Sequence, residues 1–87
     1  MKHQFGKVTI ATKETMPNEL LERMDNFNRS LTLEELVRHA EAIEKQIERG
    51  DRTLLVCCCG TQDVKPFALV RLRSEIKRRL AGHQRIA

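Results

Sequence analysis

The sequence predicts a small α+β domain in the order β-α-α-β-α, with a helical hairpin and a short two-stranded sheet. Three observations carry that reading. Residues 32–50 spell a capped amphipathic helix, residues 8–10 and 53–59 have strand patterning, and residues 66–81 repeat apolar side chains at helical spacing. The expectation is one compact domain spanning 1–87, with 83–87 as a frayed tail.

The first strand is read from FGKVTIA, where Val8 and Ile10 alternate with Lys7 and Thr9, and Val8 and Ile10 are expected to face the core. Thr12 to Thr15 is a polar connection. Met16-Pro17 opens the first helix, because proline is tolerated in a first turn. Met16, Leu20, Met24 and Phe27 fall on one stripe with Leu21 beside it, a set that reads as flexible core filler. Residues 26–30 (Asn-Phe-Asn-Arg-Ser) break the pattern and turn the chain.

The second helix has the strongest signals. Thr32 and Glu35 form a capping box, and Leu31 with Leu36 a hydrophobic staple over it. Leu33, Leu36, Val37, Ala40, Ile43 and Ile47 share one face. Glu34/Arg38 and Glu41/Lys45 pair across the other. Gly50 supplies the left-handed stop.

Thr53 to Cys59 is a continuous apolar run, expected as a strand buried on both faces, and residues 60–63 (Gly-Thr-Gln-Asp) as a loop. The last helix runs from Pro66 to Ala81 and ends at Gly82. Its core stripe is Leu69, Leu72, Ile76 and Leu80. Its other side carries Phe67, Val70, Arg71, Ser74 and Arg78.

Composition narrows function by exclusion. The 87 residues carry a net charge of +4 and 32% charged side chains. Residues 1–63 hold nine Lys/Arg against eleven Asp/Glu, a balance of −2, whereas residues 64–87 hold seven against one, a balance of +6. The basic character therefore belongs to the last helix. With three Phe and no Trp or Tyr, a base-stacking platform is not expected. No apolar run approaches the ~20 residues of a membrane span. The odd, contiguous cysteine count is no disulfide framework, and a reducing cytoplasm is the expected setting.

Cys57, Cys58 and Cys59 read as buried structural thiols. Neighbours on a strand point to opposite faces, and His3, His39 and His83 show no ligand spacing, so no metal is expected. A nucleophilic Cys59 before a helix would need the C-x5-R loop of cysteine phosphatases. Here the count reaches Lys65, and Asp63 adds negative charge within the loop. No Walker loop, GxGxxG, HExxH or GxSxG occurs, so neither catalysis nor a cofactor is expected.

The best candidate site is the mixed apolar and basic face of the last helix. Phe67, Val70, Arg71, Ser74 and Arg78 make a partner-binding surface, with Phe67 and Val70 expected to be exposed. The leading expectation is a non-enzymatic binding module that docks on a larger protein as a regulator or inhibitor. Small autonomous chains of this kind are common among phage and mobile-element products, and a homodimer is compatible with open sheet edges. The alternative is a nucleic-acid binder using Lys65, Arg71, Lys77, Arg78, Arg79 and Arg85. It lacks a helix-turn-helix layout and a GXXG clamp.

Overall fold

A computed structural model describes residues 8–57 and 60–85, with side chains for 8–56 and 60–82. The order is β1 (Val8–Ile10), α1 (Asn18–Ser30), α2 (Leu33–Glu48), β2 (Leu54–Cys57), β3 (Gly60–Asp63) and α3 (Lys65–Arg85). The class is α+β, with a mixed three-stranded sheet in the order β1-β3-β2.

The strand β3 was expected as a loop and is instead the centre of the sheet. It runs parallel to β1 and antiparallel to β2. GTQD carries little intrinsic strand preference; two flanking strands supply its pairing, and tertiary context overrides propensity. Cys57 pairs with Gly60, whose φ of 128° suits glycine.

The register decides which side chains share a face. Thr9, Gln62 and Leu55 form one row across the sheet. Val8, Thr61 and Val56 form a second row on the opposite face, joined there by Ile10, Asp63 and Leu54. The first row lies on the covered face, with Thr9 exposed at its edge: Leu55 packs against Ala11, Met16, Leu21 and Phe67, and the Gln62 amide donates to the Thr15 carbonyl at 3.4 Å. The other face is open, with Ile10 57%, Leu54 52% and Val56 75% exposed. Two expectations are corrected here. Ile10 does not face the core, and the run from Leu54 is an edge strand covered on one side. Alternation fixes which residues lie together, but not which side the helices cover.

Before α1, Thr12 and Thr15 close a tight turn by hydrogen bonds in both directions, the Thr12 amide donating to Thr15 Oγ1 at 2.8 Å. The helix α1 begins after Pro17 and continues through residues 26–30, where a break was expected. Met16 and Leu21 are buried as the stripe requires, but Phe27 is exposed. Two residues, Leu31 and Thr32, link α1 to α2. The capping box is present, with the Glu35 amide donating to Thr32 Oγ1 at 3.1 Å and the Thr32 amide donating to Glu35 Oε1 at 2.9 Å. These bonds hold the Glu35 carboxyl below its usual range, the Thr32 amide being the main cause. Gly50 ends the segment at φ 91°.

The spine of the molecule is α3, not the capped helix. Its first turns send Phe67 into the sheet-side core, and Leu69 and Leu72 join Leu36 and Ala40 of α2 in a second core. Both α1 and α2 take α3 as their main partner. Its 21 residues extend about 31 Å at 1.5 Å per residue, past Gly82 and through Arg85. Gly82 therefore does not stop the helix, which continues through Arg85. Leu80, expected in the core stripe, is exposed because it lies beyond the reach of both cores.

One buried carboxylate joins sheet and helix. Asp63 Oδ1 accepts from the Thr53 amide at 3.2 Å and from the Lys65 amide at 3.1 Å. It thus ties the start of β2 to the first turn of α3, where amides lack helical partners.

Candidate functional site

The five side chains expected to form a partner-binding face divide between inside and outside. Phe67 is 7% exposed, because at the start of α3 the sheet and α1 close over the side that is open farther along. Arg71 lies over the Phe67 ring, its guanidinium carbon 5.7 Å from the centroid, and both carboxylate oxygens of Asp25 accept from it. These two residues join α3 to α1, and the expectation of an exposed Phe67 is corrected. Val70, Ser74 and Arg78 remain on the outer face, beside Arg73 and Lys77.

The cations of the nucleic-acid alternative are largely engaged within the chain. Lys65 Nζ donates to Gln46 Oε1 at 2.6 Å. Arg78 donates twice to Glu75, at 3.2 and 2.6 Å. Arg79 has the most specialised role. Its guanidinium donates to the carbonyls of Asn28 (3.1 Å), Arg29 (3.0 Å) and Leu31, while its Nε donates to Glu75 at 2.9 Å. A cation at a helix C-terminus meets the carbonyls that lack intrahelical donors and the negative end of the dipole. Arg79 therefore caps α1. Lys77 is exposed and makes no ion pair among the described residues. The side chain of Arg85 lies outside them.

Glu75 organises this corner. Its side chain is only 10% exposed, and the Arg78 hydrogen bonds, with a smaller part from Arg79, hold its carboxyl below the usual carboxylate range although burial opposes them.

Cys58, Cys59 and His3, with the side chains of Cys57 and His83, lie outside the described residues. The region after Cys59 is nevertheless informative. The segment that a phosphate-cradling loop would occupy is β3, paired with strands on both sides, and the Asp63 carboxylate is buried between two amides. Among the described residues no group of three His, Cys, Asp or Glu side chains is placed to hold a metal ion, and no helix is long and apolar enough to cross a membrane.

The feature that sequence reasoning missed is the outer face of the sheet. Val8 and Ile10 on β1 and Leu54 and Val56 on β2 stand there on either side of Thr61 and Asp63 of β3. Their proximity follows from β3 lying between the two strands, so missing β3 concealed the patch. No family model, curated protein or solved structure matches this chain.

Proposed function

We propose that the protein is a non-enzymatic binding module that docks on a larger protein and regulates or inhibits it, working in the cytoplasm. The open apolar face of the sheet carries this reading. Monomeric proteins rarely leave contiguous aliphatic surface in water, and such surface marks interaction sites. Here Ile10, Leu54 and Val56 are each more than half exposed on one face of a sheet, beside Val8. The outer face of α3 extends the reading, since Val70 is surrounded by Arg73, Ser74 and Lys77. Arginine is enriched at interfaces and an aliphatic centre favours burial.

The nucleic-acid alternative has less support, because Arg71, Arg78 and Arg79 already bond within the chain. Capture of partners by the tagged protein from a lysate, with and without nuclease, separates the two readings. Docking predicts a stoichiometric protein that survives nuclease and is lost with Val56→Asp. Recovery of nucleic acid alone, insensitive to Val56→Asp and lost as salt rises, overturns it.

A further inference from the structure

The pair of helices α2 and α3 has two long flanks, and α1 covers one of them. Phe27 of α1 meets His39 of α2 edge-to-face, with ring centroids 5.9 Å apart, and Asp25 of α1 accepts from Arg71 of α3. At about 100° per residue, Val37 lies roughly 160° around α2 from His39, and Leu80 about 180° around α3 from Arg71. Both therefore stand on the flank that α1 leaves bare. The exposed ion pair between Glu44 and Arg73, 2.6 Å long, joins α2 to α3 on that same flank.

The two helices run antiparallel, since Arg79 reaches the Leu31 carbonyl at one end and Lys65 reaches Gln46 at the other. That register sets Leu33 near Leu80, Val37 near the half-buried Ile76, and Glu34 level with Lys77. Leu33 is 37%, Val37 39% and Leu80 45% exposed, so an apolar strip runs along the bare flank.

Opposite charges border this strip. Glu34, Glu41 and Glu48 repeat at heptad spacing along its α2 side, and Arg73 and Lys77 line its α3 side. Glu41, Glu48 and Lys77 make no ion pair among the described residues, and Glu34 meets only Arg38, at 3.5 Å between exposed side chains. Such a pair contributes little. The surface that complements this flank needs a basic row opposite the acidic one, an acidic row opposite the basic one, and an apolar strip between. The flank itself has that pattern. A two-fold rotation about an axis parallel to the helices lays α2 of each copy antiparallel on α3 of the other and keeps every residue at its own level. Glu34 of one copy then meets Lys77 of the other, and the two apolar strips close on each other.

We propose that this flank is a homodimer interface, in which α2 and α3 of two copies form an antiparallel four-helix bundle. It shares no residue with the outer face of the sheet, so the dimer and the docking reading can fail separately.

The test is the mass in solution by sedimentation equilibrium, with circular dichroism melting as the control for folding. Wild-type protein is expected at twice the 10.1 kDa chain mass. Leu80→Asp is expected to sediment as a single chain and to melt like wild type. Lys77→Glu should raise the dimer dissociation constant about tenfold, and adding Glu34→Lys should restore most of that loss. Val56→Asp should leave the dimer intact. A wild-type mass of one chain at concentrations up to about 1 mM overturns the dimer. A dimer that survives Leu80→Asp, is indifferent to Lys77→Glu, or dissociates with Val56→Asp has its contact elsewhere and overturns the proposal. Where Leu80→Asp fails to fold, Lys77→Glu and its rescue by Glu34→Lys decide.

Discussion

The two faces of the sheet are inverted relative to those of an isolated globule. The covered face buries Gln62 and half-buries Leu55, while Thr9 at its edge is exposed. The outer face holds the aliphatic Val8, Ile10, Leu54 and Val56 on its two edge strands, with Thr61 and Asp63 on the central strand between them. Leu55 and Val56 are adjacent in the chain, yet Leu55 packs into the core and Val56 is 75% exposed. A sheet with one covered face ordinarily alternates apolar inward and polar outward. Here Gln62 is accommodated inside by specific hydrogen bonding, and the aliphatic side chains face out. That inversion supports the reading of the outer face as a surface for a partner.

The contrast can be broken most forcefully through the inner side. Phe67→Ala removes a buried ring from the core under the sheet and should cost about 3–5 kcal/mol, measured by urea denaturation. Phe67→Asp would unfold the protein and cannot separate binding from folding. Asp63→Ala leaves the Thr53 and Lys65 amides without their acceptor and should cost about 1–3 kcal/mol. A loss below about 0.5 kcal/mol would show that this tie between sheet and helix is dispensable.

A smaller effect concerns the corner held by Glu75 and Arg79. The folded Glu75 carboxyl lies below its usual value of 4.5, so the unfolded chain takes up a proton more readily. Its contribution is fully present above pH 4.5 and is lost as pH falls through the lower folded value. Denaturant midpoints measured against pH should therefore fall on the acid side, and Glu75→Gln should flatten that limb. An identical slope in the variant would contradict the assignment. The smallest stability effect is expected outside, where Val56→Asp should stay within about 0.5 kcal/mol of wild type. Leu55→Asp, one residue earlier, should destabilise severely because it places a carboxylate in the core.

Local signals made part of this fold legible in the sequence. The Thr32–Glu35 capping box, the Leu36–Ala40 face and the Gly50 stop act within a few residues of one another, so α2 could be read directly. β3 could not, because Gly-Thr-Gln-Asp becomes a strand only between two partners far away in sequence. Gly82 misled for the opposite reason. Glycine weakens a helix interior by about 1 kcal/mol but does not prevent continuation. The site was harder still. Residues at Phe67 and Val70 look equivalent on a helical wheel until the sheet covers one of them. Arg79 reads as a surface cation, and only the tertiary approach of the α1 carbonyls gives it a capping role.

The most direct test of the central claim compares wild type, Val56→Asp and Leu55→Asp by circular dichroism melting and by quantitative partner capture from nuclease-treated lysate. The account predicts that Val56→Asp melts like wild type and loses the captured protein, whereas Leu55→Asp loses both fold and partner. A Val56→Asp protein that folds normally and retains its partner in full would contradict the claim that the outer face of the sheet is the docking surface.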